Sequence, residues 1–357
     1  MDFLTEFDNF KEFFEPKLKA FLESKIEEYK GVNSTGKNLL DQVLKASVNS
    51  GKRLRPILAY HGFGLLGDAT KSSDDLAYLG ISLELFHTFC LIHDDFIDKS
   101  SLRRGQKTIH EVYKADFESV MDQNVATHLG SSAAVLGGDL AFVLAEMAYS
   151  EVQMLSPDFV KVYRQMQLEV CLGQADDTFG TGIADLSKLS EDQVLNMLDY
   201  KSGRYSIEKP LLLGAILAGV NNDQRQVLSE FGTRLGVVFQ LVDDVLGIFG
   251  NNLITGKSNS SDLAEGKRTL ILLRTYNESS SEEKKQILRL VGDNNLSAVN
   301  LEWFKSLVVS TGVLAGINDF CRNEVNYLKN LIKDNFTANE SQGFLISLAD
   351  YIILRQK

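Results

Sequence analysis

The sequence predicts an all-α fold. Three observations carry this. Apolar residues recur at three- and four-residue steps along most of the chain, the repeat of a helix face. Only four prolines interrupt 357 residues, against an abundance of Leu, Ala, Glu and Lys, which favour long helices. No run alternates apolar and polar residues as a half-buried strand does, and no fixed-period repeat appears.

Taken in order, residues 3–30 form the first predicted helix, with Phe3, Phe7, Phe10, Phe14, Leu18, Phe21 and Leu22 at helical steps. Pro16 is placed to kink or divide it. A helix over 37–49 ends at Ser50-Gly51, and the basic corner Gly51-Lys52-Arg53-Leu54-Arg55-Pro56 leads into another. A long apolar helix over 73–98 is entered through Ser73 or Asp74 as its cap. Further helices are expected at 119–150, 157–180, 190–202, 204–220 and 223–249. The stretch 250–262, rich in Gly, Asn and Ser, reads as a loop, with four helices beyond it. No Pro- or Ser-rich linker divides the chain, so one all-α domain over 1–357 is the simplest organisation.

Composition narrows the function classes. A net charge of −11 argues against a nucleic-acid partner, because phosphate backbones need a basic face. It leaves room for a local basic pocket around a small phosphate ligand. Cys90, Cys171 and Cys321 are odd in number and widely spaced, as in reduced core residues of a cytosolic protein. The acidic first ten residues lack the basic start of a signal peptide. The most apolar run, 210–220, is too short for a bilayer, which needs about 20 residues. The expectation is a soluble cytoplasmic protein without stable membrane insertion.

Two aspartate clusters stand out. The first, Asp94-Asp95-Phe96-Ile97-Asp98, closes the long apolar helix; the second, Asp243-Asp244, follows Phe239-Gln240-Leu241-Val242. Carboxylates in apolar surroundings need protons, cations or metals. Asp94 and Asp98 are four apart and share a helix face, while Asp95 points about 100° away. Converging carboxylates suit Mg²⁺, which keeps several waters and binds through one or two acids plus substrate phosphates. A capped helix end with solvated acids has the same spacing. What separates the two readings is Arg103-Arg104 a short turn later, since arginine matches phosphate oxygens bidentately. Around the second cluster, Lys257 and Lys267 suit either salt bridges to buried acids or phosphate contacts. The Lys52-Arg53-Arg55 corner is another cationic site, or a solvated basic turn. His87, two turns before Asp94, fits a ligand contact or a satisfied core histidine.

Eight ordered segments, GKRLRP (51–56), ELFHTFCLIHDDFID (84–98), SLRRG (101–105), GGDLAF (137–142), YKSGRYS (200–206), FQLVDD (239–244), TGK (255–257) and SDLAEGKRT (261–269), together resemble the trans-polyprenyl diphosphate synthases over roughly residues 40–275. Within them, GRYSIEKPLLLGA (203–215) is similar to short-chain and geranylgeranyl-type prokaryotic enzymes. The resemblance implies an isoprenoid synthase-like bundle of roughly 12–15 helices around a central cavity. It implies Mg²⁺, about three ions per site, with Asp94, Asp98 and Asp243 as ligands and Asp95 and Asp244 supporting them. Arg103, Lys201, Lys257 and Lys267 match positions that hold the allylic diphosphate. Lys52, Arg55, His87 and Arg104 match those that hold isopentenyl diphosphate, and Ser202 and Gln240 match polar residues beside the reacting carbons. Small-molecule diphosphates are the implied partners, and a homodimer the implied assembly. The catalytic set is then Asp94, Asp98, Arg103, Lys201, Ser202, Gln240 and Asp243.

The implied reaction joins isopentenyl and allylic diphosphates head to tail, giving geranylgeranyl or farnesyl diphosphate. Phe89 and Phe86, one and two turns before Asp94, are candidates for the floor of the product tunnel, although aromatic core packing explains Phe86 equally well. Three positions depart from the family's pattern: Gly247 replaces a third aspartate, Ser258 and Ser260 stand in the loop where proline and glycine are common, and Lys107 replaces a frequent proline. A class I terpene synthase is the nearest rival; the second cluster lacks the Asn/Ser/Glu pattern such enzymes use. A non-catalytic subunit of a heteromeric synthase is another, but such subunits typically lose their aspartates, and this chain keeps both clusters.

Overall fold

A computed structural model describes residues 3–31, 34–48, 51–180, 186–250, 261–264, 266–293 and 295–355. The fold is all-α, and the chain gathers into two compact units, Met1–Ser156 and Pro157–Lys357.

The first unit begins with α1 (Phe3–Glu28), which runs through Pro16 without interruption and buries Phe7, Phe14, Leu18, Phe21 and Leu22. Pro16 is exposed, so the backbone bond it removes is not buried. α2 (Ser34–Val48) and α3 (Leu54–Gly64) follow, then α4 (Ser73–Ile97), the core helix that carries the first aspartate cluster. α4 ends sharply. Ser100 N–H bonds to Asp95 O at 2.8 Å and Lys99 N–H to Phe96 O at 3.2 Å, with Lys99 left-handed at φ 54°. This is a Schellman closure with lysine where glycine is usual.

Two features here depart from the sequence reading. A small hairpin pairs β1 (Leu102–Arg103) with β2 (Gln106–Lys107). Its two-residue turn, Arg104-Gly105, has positive φ at both positions, 52° and 78°, as a type I′ turn requires. A ladder this short leaves no alternation to read. The helix expected at 119–150 starts at Gln123, capped by Asp122, and a separate α5 (Ile109–Glu118) precedes α6 (Gln123–Ser150). α6 lies close against α5 and α4: a Cβ on Gly130 would collide with His110 O, and one on Gly138 with the His93 ring.

In the second unit, α7 (Pro157–Gly180) opens on proline at its first position, where no N–H is needed. α8 (Glu191–Leu198) carries a Ser190/Gln193 capping box. The predicted break at Gly203 is absent: α8 continues through a π-helical segment, Asp199–Glu208, into α9 (Lys209–Leu217). α10 (Asn222–Phe249), boxed by Asn221 and Gln224, carries the second cluster. Residues 251–260 of the predicted loop lie outside the described residues, and its end forms one helical turn, α11 (Ser261–Ala264). Among the described residues, five helices follow rather than four: α12 (Leu270–Glu278), α13 (Ser281–Leu290), α14 (Ala298–Ser310), α15 (Val313–Asn335) and α16 (Glu340–Leu354).

Contrary to the reading that found no span-length apolar run, α4 and α6 are long and apolar enough to cross a membrane by length and composition. Yet 67% of the apolar window of α4 is buried inside the protein, as expected of a core helix.

Candidate active site

In the first unit, α4 presents Glu84, His87, Asp94 and Asp95 in succession, with Asp98 as its C-cap. Asp98 keeps helical backbone angles and its N–H bonds to Asp94 O at 2.8 Å, so the face shared by Asp94 and Asp98 survives to the helix end. Asp95 turns inward and is 6% exposed. Arg103 Nε donates to Asp95 Oδ1 at 2.6 Å, and its Nη2 lies 3.4 Å from Asp94 Oδ2. The hairpin thus delivers a guanidinium to both acids, and Asp95 anchors Arg103.

The basic corner divides. Lys52 stays exposed and Arg55 is buried on α3. Arg53, 2% exposed and left-handed at φ 54°, turns into the protein. It donates to Glu84 Oε1 at 2.7 Å and to the carbonyls of Ser47 and Val48 at 2.9 and 3.2 Å, closing the C-terminus of α2. Arg53 is therefore a structural cation, neutralised within the fold. Glu84, which sequence reasoning did not single out, also attracts Arg104. A Cβ on Gly51 would meet Arg53 Nη1, Arg104 Nη1 and Glu84 Oε1 within 3.6 Å, so these three groups converge there.

Burial, then Arg55, Arg104, Arg103 and Arg53 in that order, push the His87 imidazole well below its ordinary value. His87 is therefore neutral at pH 7, with burial and the nearby arginine charges both favouring the uncharged ring. Phe89 packs among Phe86 (5.4 Å between ring centres), Phe142 of α6 (5.3 Å) and His93 (4.8 Å), the last two edge-to-face. Phe142 is a third ring that the sequence reading missed, because it comes from another helix.

In the second unit, α10 supplies Gln240, Asp243 and Asp244. Gln240 Nε2 donates to Asp244 Oδ1 at 3.2 Å, and Asp244 is 5% exposed. Asp243 pairs with Arg355, whose Nη2 lies 2.8 Å from Oδ1. Arg355 also donates to Phe239 O at 2.7 Å, and its guanidinium carbon stacks 4.0 Å from the Phe239 ring centre. The sequence reading offered lysines as partners for this cluster and missed Arg355, more than a hundred residues away in sequence. Lys201 and Ser202 lie on the π-helical segment, where Lys201 ion-pairs with Asp177 of α7, a residue that is 7% exposed. Asp177 was likewise missed. Lys267 lies half-buried in the turn before α12. Lys257, Ser258 and Ser260 lie outside the described residues.

The donor set fits a hard divalent ion. Among the described residues no three His, Cys, Asp or Glu side chains converge, so neither unit makes a protein-only cage. Each offers one or two carboxylates, few enough that a bound Mg²⁺ would complete its shell with substrate oxygens and water. Both clusters already hold a cation, Arg103 on the first and Arg355 on the second.

Comparison with known proteins agrees. The family model described as Polyprenyl synthetase matches residues 37–306. The chain is 31% identical over 248 residues to the short chain isoprenyl diphosphate synthase of Methanocaldococcus jannaschii, covering 69% of this chain and 68% of that one. It is 30% identical over 257 residues to the geranylgeranyl diphosphate synthase of Sulfolobus acidocaldarius, 71% of each. Among solved structures, the geranylgeranyl pyrophosphate synthase of Corynebacterium glutamicum, complexed with isoprenyl diphosphate and magnesium, is similar at TM-score 0.88 and 28% identity, covering 97% of this chain and 98% of that one. The chain belongs to the polyprenyl synthetase family and is a trans-prenyltransferase.

Proposed function

We propose that the protein condenses isopentenyl diphosphate with an allylic diphosphate (dimethylallyl, geranyl or farnesyl) and releases geranylgeranyl or farnesyl diphosphate, the former favoured. The observation that carries this reading is the pair of acids Asp94 and Asp95 gripping Arg103, on the same helix as His87, whose neutral ring feels the charges of Arg55 and Arg104. Polyanion and cation sites on one helix suit a diphosphate and its metal.

Arg103, Lys201, Lys257 and Lys267 hold the allylic diphosphate; Lys52, Arg55, His87 and Arg104 hold isopentenyl diphosphate. Asp94, Asp98 and Asp243 hold Mg²⁺, about three ions per site, with Asp95 and Asp244 behind them. The metal supplies neutralisation of the charge that builds on the departing diphosphate. Arginines and lysines fixed in place supply more of the same, without reorganisation at the moment of reaction. Ser202 and Gln240 stand beside the reacting carbons. Apolar helix walls shield the allylic cation from water, and the proton lost after condensation goes to the released diphosphate. Phe89, with Phe86 and Phe142 around it, sets the depth of the tunnel.

The two units act as one synthase domain, a reading supported by the match at 37–306, which crosses their boundary. The protein works in the cytoplasm as a homodimer; exposed Leu136 and Val143 on α6, and Leu168 and Leu172 on α7, give each helix an apolar stripe for a second copy.

The test supplies purified protein with Mg²⁺, isopentenyl diphosphate and each allylic starter, and identifies the products. Elongated diphosphates support the reading. Hydrocarbons or alcohols would make the protein a terpene synthase, and no turnover would leave a non-catalytic subunit.

A further inference from the structure

Residues Asp199–Glu208 wind as a π-helix, with i→i+5 rather than i→i+4 hydrogen bonds. In an α-helix, residues five apart point about 140° from one another, from about 100° per residue. Asp199 and Arg204 are five apart, yet Arg204 Nε donates to Asp199 Oδ2 at 2.6 Å. This pair closes in the wide register and is lost in the ordinary one.

Arg204 is tied further. Its Nη1 donates to Glu169 Oε1 of α7 at 2.9 Å, and its guanidinium carbon lies 4.3 Å from the Tyr200 ring centre. Lys209 Nζ reaches Glu169 Oε2 at 3.3 Å and Glu208 Oε2 at 3.0 Å, and Ser229 of α10 donates to Glu208 Oε1 at 2.6 Å. Glu169, Glu208 and Lys209 are each buried. Buried ion pairs contribute little net stability, and their best-attested use is to specify register.

The neighbouring helices are cut to receive the wide turn. A Cβ on Gly173 of α7 would come within 3.0 Å of the Lys201 backbone, and one on Gly236 or Gly232 of α10 equally close to Gly203 or Glu208. Three glycines therefore form a groove for the π segment, and the charged network fastens it there.

We propose that Arg204 is a positioning residue: by locking the π register, it holds Lys201 against Asp177 and presents the Lys201–Ser202 pair to the allylic diphosphate. This rests on the assignment of Lys201 to that diphosphate. Arg204 acts through the backbone and its network; substrate contact belongs to Lys201.

The test compares Arg204→Gln, Arg204→Lys and Asp199→Asn with Lys201→Ala. Asp199→Asn keeps side-chain size, removes the charge and turns one acceptor oxygen into an NH₂ donor, so it carries the test should an Arg204 variant fail to fold. KM for the allylic and isopentenyl diphosphates is measured separately, with helix content and hydrogen exchange over 199–208. Expected in Asp199→Asn and the Arg204 variants is a roughly 10- to 100-fold rise in allylic KM, the scale of a misplaced binding group. Isopentenyl KM should stay within about twofold, with faster exchange in the π segment and unchanged overall helix content. Lysine cannot span both acids, so Arg204→Lys should fall between wild type and Arg204→Gln. Unchanged allylic KM in Lys201→Ala would overturn the site assignment itself. A raised allylic KM in Lys201→Ala, together with an unchanged ratio of the two KM values in Asp199→Asn and the Arg204 variants, would overturn the positioning role and leave the site standing.

Discussion

Replacing Phe89 by Ala should lengthen the product by one five-carbon unit. Phe89 lies five residues, about 1.4 turns, before Asp94 and packs on Phe86 and Phe142. With its ring gone, the next barrier along α4 is Phe86, three residues back and about 4.5 Å lower, at about 1.5 Å per residue. An isoprene unit adds four main-chain carbons, roughly 5 Å with bonds of about 1.5 Å. The two lengths match, so the floor recedes by about one unit. Truncating a fully buried Phe costs roughly 3–5 kcal/mol; Phe89 is only half-buried, so about 2 kcal/mol is expected, a loss of a few degrees in Tm. The variant should therefore fold and turn over. The assay is mass spectrometry of the dephosphorylated products beside those of the wild type. A folded, active variant with unchanged product length would remove Phe89 from the floor, and elongation by several units would show that Phe86 and Phe142 do not close the tunnel.

Three other outcomes are expected. Asp94→Ala should abolish turnover with helix content intact by circular dichroism, and a normal rate would be incompatible with its metal role. Arg355→Met should lower the metal-free Tm and tighten binding of Mg²⁺ with inorganic diphosphate in calorimetry; Asp243 is 39% exposed, so the discounted effect is about 0.5–1 kcal/mol, roughly two- to fivefold. Weaker binding would mean that Arg355 orients Asp243 instead of competing with the metal. Because the His87 pKa is lowered, the unfolded chain takes up a proton more readily below about pH 6.5, so stability is held above that pH and lost as pH falls through it. His87→Gln should reduce that acid loss in thermal unfolding between pH 8 and pH 5, and an identical acid loss in both proteins would refute the assignment. In the wild type, bound inorganic diphosphate should draw a proton onto His87, seen as buffer-dependent binding heats.

What the sequence disclosed was local. The apolar setting of both aspartate pairs and the charge of Arg103-Arg104 are properties of neighbours along the chain. What it hid depends on backbone register or distant contact. Gly203 reads as a helix break because periodicity rules assume 3.6 residues per turn, whereas here glycine permits a wider turn against Gly236. Lys52, Arg53 and Arg55 read as one basic site; Glu84 on another helix, with the carbonyls of Ser47 and Val48, removes Arg53 from it. Asp177 and Arg355 carried no motif of their own and Phe142 closed a motif without a role, and each gained meaning through a partner brought near by folding.

The little ribbon after α4 shows how a tight bend economises on length. Arg103 ends its first strand and Arg104 opens the bend, so consecutive guanidinium groups leave in different directions, one toward Asp94 and Asp95, its neighbour toward Glu84. A dipeptide thereby addresses two customers at once. Inserting a single residue ahead of it would slip the ladder and flip both side chains to the opposite side, which is why this segment should tolerate exchange of its solvent-facing Lys107 far better than any change in its length.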